Sequence, residues 1–233
     1  TYAREINEEF ELYWDSKFAI PYEEFIPWYK PRWVRPERSS QRSVAEQFNQ
    51  VDLPTLEPNI MQQQFIANFN ELRANQAKRG LLISATGTGK TYAAAFAMRE
   101  MNPKRILFLV HREQIAKQAM ASFERVYNDP SITFGLVSGN VKKYDATHVF
   151  STMQMMGRYD VMKQYDPKTF DCIIIDEVHR AGSESYQRII DYFKPQFLLG
   201  MSATPERSDD FDIYKMFDYN IAYEIRLQQA MEY

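Results

Sequence analysis

The sequence is poor in cysteine and histidine, with one Cys172 and three histidines in 233 residues. A disulfide framework needs paired cysteines, so that class of protein is excluded, and a single cysteine favours a reducing compartment. The histidines (His111, His148 and His179) show no metal-ligand spacing with the cysteine, which argues against a zinc site. Positive charge is not in excess either, since 28 Lys and Arg stand against 31 Asp and Glu. Any contact with nucleic acid must therefore be local.

Long apolar runs are also lacking, and none approaches the roughly 20 residues that a membrane helix needs. No charged-then-apolar leader opens the chain, and we expect a cytoplasmic protein without membrane contact. The composition is 45% apolar and 25% charged, which is typical of a folded globular protein. The length fits one large domain, or one domain with an appendage.

Residues 1–50 differ from the rest of the chain. They hold all three tryptophans, and prolines recur between Pro21 and Pro36. The pattern predicts a short amphipathic helix followed by an extended connector in which aromatic and basic residues alternate. Such a connector can contact a single nucleic-acid strand by stacking and phosphate pairing. We favour the alternative, a linker whose aromatic residues pack on a neighbouring surface, because isolated basic runs are usually solvated.

From residue 51 onward, continuous apolar strands alternate with helices. This pattern predicts an α/β fold with a mostly parallel sheet covered by helices on both faces. Strands are expected at residues 80–85, 105–110, 131–139, 146–152, 171–176 and 195–204, and helices at 91–101, 112–127 and 183–193. Sheets of this kind bind ligands at the carboxyl ends of their strands.

The segment SATGTGKT, residues 84–91, follows a strand and opens a helix, as a phosphate-binding loop does. Its two glycines allow backbone N–H groups to converge on phosphates beside the positive helix end. Lys90 would reach the β- and γ-phosphates, and the hydroxyl of Thr91 would hold Mg²⁺. Ser84 replaces the first glycine of the usual pattern. An ordinary turn with incidental glycines fits this context poorly, and the expected nucleotide-binding residues are Thr86, Gly87, Thr88, Gly89, Lys90 and Thr91.

Two carboxylates, Asp176 and Glu177, follow the apolar strand that contains Cys172. In a parallel sheet they share an edge with the phosphate loop, so Asp176 can bind the ion held by Thr91. Glu177 can orient and deprotonate the water that attacks the γ-phosphate. A helix cap followed by a first-turn acid is the ordinary alternative. It is the weaker one, because two motifs of matching chemistry share one sheet edge.

Three motifs together resemble motifs I, II and III of superfamily 2 helicases and translocases. They are SATGTGKT at residues 84–91, DEVH at 176–179 and SAT at 202–204. The DEAH/DExH branch is the most similar, near the helicase subunits of type III restriction enzymes and excision-repair-type helicases. The resemblance covers about residues 52–233 and implies a RecA-like P-loop NTPase domain that uses ATP and Mg²⁺.

The resemblance also implies a domain organisation. Residues 51–220 would form the first of two RecA-like motor domains, and residues 221–233 would begin the connector to a second one. Residues 1–50 remain an N-terminal helix and connector. The second domain of this family supplies arginines that touch the γ-phosphate, and no matching motif occurs in this chain.

Further residues acquire roles from the resemblance. Gln62 would read adenine through its amide, with Gln63 and Gln64 as alternative registers. His179 would act with the catalytic residues Lys90, Asp176 and Glu177, and the hydroxyls of Ser202 and Thr204 would couple the nucleotide site to nucleic acid. Nucleic-acid contacts are implied for Arg112, Gly139, Thr152 and Gln154. Each also has an ordinary interpretation, such as a surface arginine, a helix cap or a serine/threonine turn.

The resulting hypothesis is an ATP-dependent helicase or translocase that acts on DNA rather than RNA. Its expected partners are nucleic acid, the second RecA-like domain of the same full-length chain, and a nuclease or restriction/modification module. The alternative is a nucleotide-gated module that grips nucleic acid or a partner without moving along it. Retention of the water-activating Glu177 argues against that alternative. An unrelated ring-forming P-loop ATPase is disfavoured because DEVH and SAT occur together.

Overall fold

The computed structural model describes residues 56–85, 87–180, 184–203 and 212–225, and all structural statements concern these residues. The helix and connector predicted in residues 1–50 lie outside them, as do Thr86, Thr204 and most of the predicted connector at 221–233.

The described residues form one eight-stranded sheet with helices. The strands are β1 Arg79–Ser84, β2 Ile106–Val110, β3 Phe134–Ser138, β4 Val141–Lys142, β5 His148–Thr152, β6 Cys172–Ile175, β7 Phe197–Ser202 and β8 Ile221–Ile225. The helices are α1 Ile60–Ala74, α2 Lys90–Met101, α3 Glu113–Tyr127, α4 Met153–Met156, α5 Tyr159–Met162, α6 Glu184–Phe193 and α7 Ile213–Met216, with a 3₁₀ turn at Val178–Arg180.

The strand order is β4-β3-β5-β2-β6-β7-β1-β8. Every pairing is parallel except that of β3 with β4. The predicted α/β fold with a mostly parallel sheet is therefore confirmed. Because β1 and β6 both run parallel to β7, the loops that follow these three strands leave the same edge of the sheet.

Helices cover both faces of the sheet, as the continuous apolar strands predicted. On one face, Phe108 and Phe150 of the sheet pack with Phe123 of α3, with ring centroids 5.3–5.4 Å apart. On the other face, Phe170 and Phe193 of α6 lie with centroids 5.0 Å apart. Strand residues alternate between these two buried clusters, so burial of apolar surface on both sides holds the sheet between its helices.

Several elements were not predicted from the sequence, among them β4, α4, α5 and α7, which have four residues or fewer, and the longer α1 and β8. Helix α1 was not predicted, because three successive glutamines near its start interrupt the apolar pattern formed by the buried Phe65 and Phe69. Strand β8 pairs in parallel with β1, so the sheet includes the first residues of the segment that was expected to begin a connector. Only Ala222 of this short edge strand is fully buried, so its apolar pattern is a weak signal in the sequence. Among the described residues, no helix combines the length and apolar character needed to cross a membrane.

Candidate active site

The loop between β1 and α2 has the backbone geometry of a phosphate-binding loop. Gly87 and Gly89 have φ values of +85° and +86°, in the left-handed region that favours glycine. Gly89 is the N-cap of α2, and a Cβ atom added to it would lie 2.9 Å from Nε2 of Gln62. The first N–H groups of α2 have no partner within the helix, so this end of the helix favours an anion.

Lys90 folds back onto its own loop. Its Nζ donates hydrogen bonds to the carbonyls of Ser84 at 2.7 Å and Ala85 at 2.9 Å. Burial lowers the pKa of Lys90 below its ordinary value, and the carboxylates of Asp176 and Glu177 act in the opposite direction. The lysine and the acidic pair therefore interact electrostatically across the edge of the sheet, as the sequence predicted.

Ser84 takes part in the hydrogen bonding of the loop. Its hydroxyl lies 2.6 Å from the hydroxyl of Thr88, which also donates to the carbonyl of Ala85 at 2.8 Å. A serine in place of the first glycine is thus compatible with the loop, because its small side chain binds a residue of the same turn.

The acidic pair directly follows β6. The N–H of Asp176 donates to the carbonyl of Leu109 at 2.9 Å, which continues the β2–β6 pairing beyond the strand. Glu177 has a φ of +52°, a conformation uncommon for a residue with a side chain and often associated with functional sites. Its N–H donates to Oδ1 of Asp176 at 2.9 Å. The turn thus separates a partly buried carboxylate from an exposed one.

The two carboxylates differ in environment. Burial raises the pKa of Asp176, while the N–H of Glu177 and the charge of Lys90 lower it. Asp176 has a partly buried carboxylate, and Thr91 has a hydroxyl at the start of α2. Mg²⁺ prefers oxygen ligands of these kinds. Glu177 is exposed, and a carboxylate is the kind of group that can orient a water molecule.

His179 contacts Ser202. Nδ1 of the histidine lies 3.2 Å from the hydroxyl of the serine, which is buried at the end of β7. Since β7 lies between β6 and β1, this contact joins the segment after the acidic pair to the strand beside the phosphate loop. The predicted coupling partner Thr204 lies outside the described residues.

Of the three candidate glutamines, Gln62 contacts the phosphate loop. It is 6% exposed, its Oε1 accepts from the N–H of Asn59 at 2.9 Å, and its Nε2 donates to the carbonyl of Gly89 at 3.4 Å. Gln63 instead donates to the carbonyl of Pro58. A neighbouring cavity of 340 Å³ is lined by Asn59, Ile60, Met61, Gln64, Thr88, Tyr223 and Ile225. Recognition of adenine by Gln62 stays a prediction.

The candidate nucleic-acid contacts follow β2, β3 and β5, at the same edge of the sheet. Arg112 is exposed at the start of α3, and Gln154 is exposed on α4. Gly139 has a φ of +53°. The hydroxyl of Thr152 accepts from the N–H of Met155 at 3.3 Å, so this threonine caps α4 as its ordinary interpretation predicted. Contact with nucleic acid stays a prediction for all four.

Sequence reasoning missed two features of this edge. Glu113 accepts a hydrogen bond from Ser138 at 2.9 Å and pairs with Lys117 at 2.6 Å, and these contacts lower its pKa. A cavity of 220 Å³ lies at the carboxyl ends of β2 and β6. It is lined by Val110, His111, Arg112, Ile115, Asp176 and Glu177. Glu113 directly follows Arg112, the predicted contact to nucleic acid, and this position was the signal in the sequence for a role of Glu113.

Comparisons with known proteins identify the family of the chain. Residues 55–207 match the sequence model of the family described as type III restriction enzyme, res subunit. The chain is 32% identical over 168 residues to the type I restriction enzyme EcoAI endonuclease subunit of Escherichia coli, covering 66% of this chain and 20% of that protein. It is 30% identical over 159 residues to the putative ATP-dependent helicase IRC3 of Saccharomyces cerevisiae, covering 61% and 22%.

The fold is similar to a nuclease-deletion mutant of the type ISP restriction-modification enzyme LlaGI, solved with a DNA substrate mimic. The TM-score is 0.58 at 21% sequence identity, over 76% of this chain and 20% of that one. The chain thus spans about a fifth of the length of each of these proteins.

Proposed function

The chain belongs to the family of type III restriction enzyme res subunits, as a first RecA-like domain of the superfamily 2 helicase type, and from this premise we propose that it is the ATP-binding half of a DNA-dependent motor. One observation carries the proposal. The ammonium group of Lys90 interacts with the carboxylates of Asp176 and Glu177 where parallel strands end at one edge of the sheet.

We infer that the residues of the phosphate loop bind the triphosphate of ATP. Lys90 would exchange the carbonyls of Ser84 and Ala85 for phosphate oxygens, which are better partners for an ammonium group. The free N–H groups at the start of α2 and the positive φ of Gly89 support phosphate binding in the same loop. Gln62 would approach the base, since it already contacts this loop.

Hydrolysis would depend on the acidic pair. Thr91 and Asp176 would hold Mg²⁺, which supplies charge neutralisation on the phosphates when bound. Glu177 would orient the attacking water and accept its proton, because its carboxylate is exposed beside the partly buried Asp176. The contact between His179 and Ser202 supports a path from this water site to β7 and the neighbouring phosphate loop.

The activity of the whole protein is part of the proposal. A second RecA-like domain of the full-length chain would complete the ATP site, and closing and reopening of the two domains would move the protein along nucleic acid. DNA is the proposed substrate because the chain is similar to a protein named as a restriction endonuclease subunit. A nuclease or restriction/modification module is the proposed additional partner on the same ground.

The test is an ATPase assay of the full-length protein with single-stranded DNA, duplex DNA and RNA compared side by side. Wild-type turnover should rise with DNA. Glu177→Gln should retain ATP binding and lose turnover, whereas Lys90→Ala should weaken binding itself. Glu124→Gln, at an exposed glutamate of α3, is a matched control that should behave as wild type. Unchanged turnover in Glu177→Gln would contradict the proposal and favour a nucleotide-gated switch.

A further inference from the structure

A buried tyrosine is hydrogen bonded to a histidine at the edge of the candidate site. The hydroxyl of Tyr186 lies 2.9 Å from Nε2 of His111, and the two ring centroids are 5.9 Å apart at an angle of 59°. Tyr186 belongs to α6 and is 1% exposed, whereas His111 directly follows β2. The hydrogen bond therefore joins the strand that leads to Arg112 with the helix that follows the acidic pair.

His111 lines the 220 Å³ cavity whose walls also include Arg112, Asp176 and Glu177. Arg112, which is predicted to contact the nucleic-acid backbone, and Glu177, which is predicted to activate the attacking water, therefore line the same cavity. The backbones on either side are already linked, since the N–H of Asp176 donates to the carbonyl of Leu109 in β2. The segment that leads to Arg112 and the turn at Glu177 are thus joined through the backbone.

We propose that Tyr186 is a positioning residue, which holds the His111 imidazole in this cavity so that binding of nucleic acid at Arg112 brings Glu177 into its working position. The inference rests on the proposed function and adds a residue that none of the three sequence motifs contains. Tyr186 acts through His111 and does not itself touch ATP or nucleic acid.

The physical basis is the constraint that one hydrogen bond places on an imidazole ring. A neutral imidazole has one donor and one acceptor nitrogen, and the tyrosine hydroxyl can bond Nε2 in either role, so the hydrogen bond restricts the orientation of the ring. The Tyr186 ring is buried in the apolar cluster beneath α6. Removal of its hydroxyl would keep the aromatic ring in the cluster and take away this constraint on the imidazole.

The matched pair of variants is Tyr186→Phe and Tyr192→Phe. Both tyrosines lie on α6 and both hydroxyls are hydrogen bonded, but that of Tyr192 donates to the carbonyl of Tyr165 at 2.9 Å. In the full-length protein, Tyr186→Phe should raise the DNA concentration needed for half-maximal ATPase stimulation roughly three- to tenfold, the factor that one hydrogen bond represents. Its KM for ATP should stay unchanged, and Tyr192→Phe should match wild type in both values.

A double-mutant cycle separates positioning from packing. His111→Ala should impair DNA stimulation, and Tyr186→Phe should add nothing further in that background, because the tyrosine acts only through the imidazole. If the effects of His111→Ala and Tyr186→Phe on DNA stimulation multiply in the double variant, or if Tyr186→Phe behaves as Tyr192→Phe does, the inference is overturned. In either case, DNA-stimulated turnover of the wild type would still support the proposed function. A wild type without any stimulation by nucleic acid would overturn both.

Discussion

Nδ1 of His179 lies 3.2 Å from the hydroxyl of Ser202, and this contact bridges two neighbouring strand ends of the candidate ATP site. The histidine follows β6, and the serine ends β7 beside the strand of the phosphate loop. In the proposed motor, this contact would connect the turn that carries Glu177 with β7. A hydrogen bond in this position is suited to carrying a change in the nucleotide to the rest of the motor.

The Ser202→Ala variant tests that contact. Loss of the hydroxyl removes a partner of His179 but none of the proposed ligands of ATP. We expect the dissociation constant of a fluorescent ATP analogue to stay within about twofold of wild type, while DNA-stimulated turnover falls about tenfold, as loss of one hydrogen bond in the coupled state allows. Equal losses of binding and turnover would show that Ser202 supports the loop instead of the coupling.

The two loop glycines should respond differently to substitution. Alanine at Gly87 or Gly89 is strained by the left-handed φ at a cost of about 1–2 kcal/mol. Only at Gly89 would the added Cβ also meet Nε2 of Gln62, whereas it meets nothing within 4 Å at Gly87. Gly89→Ala should therefore weaken nucleotide binding more than Gly87→Ala does, measured by titration with a fluorescent ATP analogue.

Gln62→Ala provides the control for that comparison. Gln62→Ala should itself weaken nucleotide binding, because this residue is proposed to approach the base, but it also removes the amide that the Cβ added at Gly89 would meet. The loss caused by Gly89→Ala should therefore be smaller in the Gln62→Ala background than in the wild type, and the part due to φ should remain. A Gly87→Ala variant as impaired as Gly89→Ala would show that the contact with Gln62 has no effect on the loop.

Stability should depend on pH through His148. This histidine is 1% exposed, between the rings of Tyr127 and Phe134 at centroid distances of 5.0 and 5.3 Å. Burial lowers its pKa from 6.5 to about 4. Between pH 4 and 6.5, His148 is protonated in the unfolded chain but neutral in the folded chain. The contribution of this residue to the free energy of unfolding is therefore complete above pH 6.5 and falls as the pH drops toward 4. The loss amounts to about 3 kcal/mol, from 1.36 kcal/mol per pH unit.

Urea unfolding between pH 4 and 7.5 measures this dependence. His148→Phe keeps an aromatic ring in the same buried site without a titratable group, and its free energy of unfolding should vary less with pH by that amount. An identical pH profile for the variant and the wild type would assign the dependence to other groups.

The sequence predicted which strand ends share an edge better than it predicted the side-chain contacts around them, for a physical reason. Buried strands such as Cys172–Ile175 are continuous apolar runs, and a parallel sheet brings the groups that follow them to one edge whatever the details of the helices. Lys90, Asp176 and Glu177 could therefore be placed together from spacing and chemistry alone.

Contacts between distant side chains could not be predicted in the same way. The bond between His111 and Tyr186 depends on how α6 packs, and no spacing rule links the two positions. Likewise, the choice among three successive glutamines depended on the helix start at Asn59, whose capping interaction turns Gln62 toward Gly89. These contacts depend on local structure and helix packing, which composition and hydrophobic periodicity do not specify.

The isolated chain should bind ATP and hydrolyse it feebly. Binding depends on the loop around Lys90 and on Gln62, which the described residues already hold together. Hydrolysis in the proposed motor also needs arginines from a second RecA-like domain, and loss of such an arginine lowers rates by about 10³–10⁵ in related phosphoryl-transfer enzymes. Residues 1–233 should therefore bind a fluorescent ATP analogue as Glu177→Gln does, yet show little phosphate release with or without DNA. Turnover by this chain equal to that of the full-length protein would mean that it carries a complete catalytic site.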